Sequence, residues 1–302
     1  MKTNTLIVFC LVCSFLLSEC TPKKSEKSTQ DVEEKSSVEP IKYRLEQVWA
    51  TDSVLKTPES VLYDPVRKVI YVSNVNQNPW EKDGNGFISK LSKTGEVIEL
   101  EWVTGMSGPK GMALVGNTLY VADLDALISI DVNNGEIVNK LPVDGASGMN
   151  DITPGKDGSI YFSDSNEGKI FQYSNGLTST FQADAPGRPN GLLMDKGKLF
   201  VAFSQASEFV SYDLNTMEKT VIAGEIGGGD GVTPTNESDK YLVSDWNGEI
   251  FIIDQHGNKQ SLLQTKDEGK NTADIWFIQE EDLVLVPTFF DNRVVAYKLV
   301  RE

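Results

Sequence analysis

Six polar residues stand at one register of a repeating chain: Glu59, Lys110, Asn150, Asn190, Asp230 and Asp274. Each comes just before the start of a repeat unit, and from Lys110 to Asp230 the step is 40 residues every time. Three carry carboxylates, two carry amides and one carries an ammonium. If equivalent positions face a common axis, their oxygens converge. Converging carboxylates repel one another unless a cation or a proton neutralises them. Oxygen donors without sulfur or imidazole suit a hard divalent ion, and calcium tolerates an irregular cage best. Such an ion polarises a carbonyl or activates a water, while a nearby carboxylate moves the proton. Lys110 would stabilise an oxyanion or bind a substrate carboxylate, or else pair with Asp274 or Glu59. The plainer account of the whole set is that Asn and Asp are common turn formers where strands begin. Recurrence at one register favours the metal site.

The rare residues exclude other chemistries. The single histidine, His256, sits in the polar stretch Asp254-Gln255-His256-Gly257-Asn258, which reads as a surface turn. A serine or cysteine triad and a multi-histidine zinc site are therefore not expected. The formal net charge of −16 makes nucleic acid an unfavourable partner, because phosphate backbones are repelled. A small-molecule substrate or ligand is expected instead, bound by a monomer.

The elements that must position the six residues are short strands. After Gly111, Asp151, Gly191 and Gly231 the same order recurs: an apolar start, a turn, then a β-rich run such as Thr118–Asp123, Ser159–Asp164, Lys198–Phe203 or Lys240–Asp245. A looser unit begins at Ser60 and carries extra residues around Asn76 to Asn85, read as a long loop. Another begins at Ile275 and is one strand short. No segment sustains helical periodicity. Six units of about four strands at a period near 40 predict an all-β, six-bladed β-propeller. Tyr43–Trp49 would complete the last unit, so the two chain ends close the ring and leave no free edge. A pair of β-sandwiches, the rival, predicts no fixed period.

The first 44 residues read as an address and a tether. Lys2 precedes an apolar run from Leu6 to Leu17, too short to span a membrane and suited to export. The run ends in Leu17-Ser18-Glu19-Cys20, similar to a bacterial lipobox, although Glu19 replaces the usual small residue. Residues 1–19 are expected to be the signal peptide, with Cys20 as the lipidated residue that anchors the exported chain to a bacterial membrane. All three cysteines, Cys10, Cys13 and Cys20, lie in this region. Residues 20–44 are dominated by charge and serine, cannot bury a core and read as a flexible tether. The propeller is expected from 45 to 302.

Several fragments then resemble one family. They are Pro58-Glu59-Ser60-Val61-Leu62-Tyr63-Asp64; Asn150-Asp151 with Lys156–Phe162; Arg188-Pro189-Asn190-Gly191; and Asp230-Gly231 with Leu242–Gly248. In this order and spacing they look like the senescence marker protein / gluconolactonase family, over residues 45 to 302. The resemblance implies a six-bladed propeller that hydrolyses lactones or related esters with one divalent metal. It implies that Glu59, Asn190 and Asp230 are metal ligands, that Asn150 is a near-metal ligand or substrate contact, and that Asp230 is also the general base. Two departures accompany it. The family's substrate-gripping arginine, two residues before the equivalent of Asn150, is Gly148 here, and the loop Ser165–Gly168 is compressed. Lys110 and Asp274 are additional charges expected to face the substrate. The alternative function is a non-catalytic propeller, stapled by a metal, that binds a small ligand or a protein.

Overall fold

The computed structural model describes residues 41–302. The expected signal peptide, Cys20 and most of the tether lie outside the described residues. Six four-stranded antiparallel sheets are arranged around an axis as a β-propeller. The first blade runs from the axis outwards as Pro58–Asp64, Val69–Asn74, Gly86–Ser92 and Val97–Met106. The innermost strands of the next four blades are Pro109–Val115, Met149–Pro154, Pro189–Asp195 and Gly229–Pro234. The sixth blade has Trp276–Ile278 innermost, then Leu283–Pro287 and Val294–Arg301, with Tyr43–Ala50 added outermost. The chain ends therefore close the ring, Tyr43 pairing with Arg301 and Ala50 with Val295.

This closing strand begins at Tyr43, as expected for the segment Tyr43–Trp49, so Tyr43 and Arg44 fall within it and the tether bound drawn at residue 44 lies two residues too late. The reason is local: the Tyr43 ring is buried, its hydroxyl donates to Glu237 Oε1 at 2.6 Å, and Lys240 Nζ lies 4.7 Å from the ring centroid. Residues this well anchored belong to the domain.

Burial grades across each blade and explains its sequence. The innermost strand Pro58–Asp64 is buried at all seven positions, so it carries no simple alternation. The outermost strands face water, as in Glu136–Pro142, where only Ile137 and Leu141 are half-buried. The core is a ring of seams between adjacent blades. One seam joins Val61, Ile70 and Val72 of the first blade to Leu285 and Ala296 of the sixth. Another joins Phe200 and Phe209 of the fourth to Tyr241 and Val243 of the fifth, the Phe200 and Tyr241 centroids 4.4 Å apart. Among the described residues no helix is long and apolar enough to cross a membrane.

Candidate functional site

A repeated backbone device aims the register residues inwards. In five blades the pairing between the first two strands slips at the register residue, between Pro58 and Ser60, Pro109 and Met112, Met149 and Ile152, Pro189 and Leu192, and Gly229 and Val232. A bulge of this kind releases one residue from the ladder and turns its side chain. The released residues are Glu59, Lys110, Asn150, Asn190 and Asp230.

The residue after each bulge is set by the neighbouring blade. A Cβ on Gly191 would lie 1.7 Å from Asp230 O, and one on Gly231 would lie 2.4 Å from Ile275 N. Only glycine permits that approach. Where the third blade has Asp151, its carboxylate bridges the gap, accepting Leu192 N at 2.5 Å and Ile152 N at 2.6 Å. Serines on the second strands complete the seam. Ser163 Oγ accepts Asp151 N at 3.0 Å and donates to Asn190 O at 2.8 Å; Ser244 Oγ accepts Gly231 N and donates to Ala273 O, both at 2.8 Å.

Aspartates at the ends of second strands hold the approach loops. Asp123 accepts Gly108 N at 2.7 Å, Asp164 accepts Gly148 N at 2.9 Å, and Asp245 accepts Gly228 N at 2.8 Å. These residues end the β-rich runs of the repeat, and their type alone points to this service.

Glu59, Lys110, Asn150, Asn190 and Asp230 line one cavity of about 380 Å³ at one end of the channel. All five are buried. Asp274 is buried too, but it lines the cavity at the other end, with Asp151. Its Oδ2 accepts the Ser60 hydroxyl at 2.5 Å. The expectation that Asp274 faces the same substrate as Lys110 is thereby corrected: a parallel bridge to Ser60 fixes its backbone, and that hydroxyl draws the side chain away. Its charge still reaches Glu59 and Asp230.

Of the two roles expected for Lys110, the ion pair with Asp274 or Glu59 is not formed: Lys110 makes no ion pair within the described residues. Its ammonium donates to Pro79 O at 2.9 Å and Gly108 O at 3.1 Å and lies 4.5 Å from the Trp80 ring centroid. Two of its three protons are used, so one is left without a hydrogen-bond acceptor. Through Pro79 it also pins the long loop between the first blade's middle strands over the site.

Buried carboxylates dominate the electrostatics. Burial pushes Glu59 up to about 8, against the lowering pull of Lys110 and with a further push from Asp274. Asp230 is raised well above the ordinary range by burial first, then by Glu59, Asp274 and Asp151. Asp151 is raised in the same way, and Asp274 is pushed to about 7 by burial, with the Ser60 hydrogen bond opposing. Lys110 is lowered by burial, against the pull of Glu59.

The donors fit a hard cation on one structural observation. Glu59 Oε2 and Asn190 Oδ1 are buried, face the cavity and have no hydrogen-bond partner. An orphaned buried acceptor is costly unless a proton donor or a cation reaches it. No group of three or more His, Cys, Asp or Glu side chains able to hold a metal occurs among the described residues. A site here draws part of its set from amides. Asn150 Nδ2 donates to Ser165 Oγ at 3.2 Å, which turns its oxygen free.

The rim was not foreseen. Trp80, Arg188, Trp246, Phe289 and Phe290 line the same cavity. Trp80, Phe289 and Phe290 lie on loops outside the period, and the extra length at Asn76–Asn85 hinted only at the first; Arg188 and Trp246 stand in quoted fragments, but nothing there marked them as cavity wall. The two departures noted in sequence have physical grounds. A Cβ on Gly148 would lie 2.4 Å from Asn166 Cγ, so that place is filled. Ser165–Gly168 is a tight turn whose amides at Asn166 and Glu167 are both taken by Asp164 Oδ1, at 3.0 and 2.8 Å. His256 is exposed in a turn, its amide bonded to Asp254.

No family model and no curated relative matches the chain. Among solved structures, a provisionally named gluconolactonase superposes with a TM-score of 0.65 at 18% identity, covering 87% of this chain and 94% of that one. An inactive virginiamycin B lyase from Staphylococcus aureus, solved with quinupristin, gives 0.61 at 12% identity, covering 86% and 100%. A chain of a nidogen/laminin complex gives 0.58 at 19%, covering 68% and 80%. At such identities the likeness is one of fold.

Proposed function

We propose that the chain is a divalent-cation-dependent hydrolase that opens a lactone or a related small ester in the cavity ringed by Glu59, Asn150, Asn190 and Asp230. The observation that carries this is the pair of orphaned acceptors, Glu59 Oε2 and Asn190 Oδ1, beside the buried carboxylate of Asp230. Glu59, Asn190 and Asp230 would hold the ion, calcium by the hardness of the donors, with Asn150 next to it. When bound, the ion supplies Lewis-acid polarisation of a carbonyl and neutralises the ring. Asp230 takes the proton of the attacking water, a role suited to a carboxylate that burial raises above the ordinary range. The remaining proton of Lys110 points to a developing oxyanion. The Trp80 loop, held by Lys110, limits entry of bulk water.

The fold neighbours include a provisionally named gluconolactonase and a lyase beside the nidogen/laminin chain, so the fold is one that enzymes of this kind use. The lyase was inactivated by replacing a histidine, whereas His256 here is exposed and outside the cavity. The carboxylate route is therefore favoured for this chain. The apolar run that ends in the lipobox-like Leu17-Ser18-Glu19-Cys20 supports an exported chain held to a membrane by a lipid on Cys20. A second reading, a propeller that binds without turnover, draws on the aromatic rim and on the filled position at Gly148. Metal analysis of the purified protein, followed by a lactone and ester panel with and without chelator, tests the proposal. Bound calcium with chelator-sensitive turnover is expected; a metal-loaded protein that turns over nothing favours the second reading.

A further inference from the structure

The rim of the cavity carries a second pattern. Arg188 is exposed and lines the cavity, and its guanidinium makes no ion pair among the described residues. It lies 5.8 Å from the Trp80 ring centroid, on which Lys110 also sits. Trp80 is 43% exposed and Phe290 62%, although both belong to the cavity wall. Phe290 is braced edge-on by Phe289 at 4.9 Å and by Trp246 at 5.9 Å. The backbone beside each is forced: Gln77, Arg188 and Phe289 have φ of 100°, 61° and 44°. Non-glycine residues in that region are costly and persist where the surroundings hold them. Three separate loops thus present two exposed aromatic rings and one unpaired cation to the same space.

We propose that this rim selects the ligand: a small molecule with a flat aromatic or apolar ring and an anionic group. The ring lies against Trp80 and Phe290, and Arg188 takes the anion. The inference rests on the hydrolase reading for the inward end, where the ester or lactone carbonyl would meet Lys110 and Asp230. A polyhydroxylated ligand fits poorly, because ring faces offer its hydroxyls no partners and removing them from water costs hydrogen bonds. Arginine supplies a planar, always charged fork suited to a carboxylate.

The test measures tryptophan fluorescence of the full-length protein, with calcium present, against phenylacetate, phenylethanol and gluconate. Phenylacetate should bind at least ~10-fold more tightly than either of the others, as a charge-assisted hydrogen bond and ring burial together require. Arg188→Gln should weaken phenylacetate ~10-fold or more, with partial rescue by Arg188→Lys. Trp80→Phe should keep most of the affinity and Trp80→Ala should lose it, as read by calorimetry. Gluconate binding as tight as phenylacetate, or an affinity indifferent to Arg188→Gln, overturns the inference. A lactone panel run alongside separates the two readings. Turnover of a sugar lactone without phenylacetate binding leaves the hydrolase standing and overturns the rim. Phenylacetate binding as expected without turnover of any ester supports the rim and overturns the hydrolase.

Discussion

Metal-free protein should lose stability as the solution becomes less acid, and calcium should reverse the loss. Glu59 is pushed up to about 8 and Asp274 to about 7, chiefly by burial. In an unfolded chain both titrate near 4. Between these values the native state holds more protons than the unfolded one, so stability falls as pH rises through the window. Each group contributes up to ~1.4 kcal/mol per pH unit there. Two such groups, repelling one another, make the loss from pH ~5 to ~7.5 on the order of 3–5 kcal/mol. For a domain of this size that is roughly 10 °C in Tm. Outer carboxylates act elsewhere on the scale. Against their own burial, Asp245 and Glu249 are held below the ordinary range by Lys266, so they cost stability only in stronger acid. On the proposed reading calcium would bind the ionised ring, so at pH ~7.5 a concentration of 100 Kd should restore ~2.7 kcal/mol and flatten the slope. The assay is calorimetry across pH, in chelator and in calcium. Glu59→Gln should reduce the slope in chelator by about one group and weaken the calcium effect. A Tm in chelator that is flat or rises from pH ~5 to ~7.5 would refute the account of a ring that protons or a cation must neutralise.

Asp230→Asn keeps an oxygen donor but loses charge and basicity; with metal saturating, kcat on the best ester should fall ~10²–10⁴-fold, read by steady-state kinetics. Cys20→Ala should abolish acyl labelling and release the protein from membranes, and unchanged membrane association would count against the anchor. Tyr43→Ala removes a buried ring and the hydroxyl bonded to Glu237 and should cost ~3–5 kcal/mol in denaturant unfolding, because that strand closes the ring.

The period of 40 residues carried the fold because each blade solves the same problem. An inner strand must be buried, a bulge must turn one side chain to the axis, and a second strand must end in a group that holds the approach loop. The same register made Glu59, Lys110, Asn150, Asn190 and Asp230 readable as one cluster. Asp274 shows the limit of register reasoning. It occupies the equivalent backbone place, yet a single hydroxyl on Ser60 turns its side chain to the other end of the channel. Lys110 shows the same: its partners, the carbonyls of Pro79 and Gly108, are backbone atoms that no residue type announces.

The rim escaped the sequence for a different reason, and that reason bears on function. Loops between the strands need not repeat, so Trp80 and Phe290 have no partners in the other units by which to be recognised. Arg188 is the instructive exception. It stands two residues before Asn190, as Gly148 stands two residues before Asn150, so the two share a register one blade apart. At Gly148 the space is taken by Asn166, while at Arg188 the side chain reaches the mouth and lies near Trp80. A cation has thus been placed one sixth of the way round the ring from where the resemblance implies one, and aromatic rings stand with it. If the inner ring sets the reaction, as its orphaned oxygens argue, the displaced cation and its rings set what enters. The two parts can then change independently, because bulges fix the one and insertions carry the other.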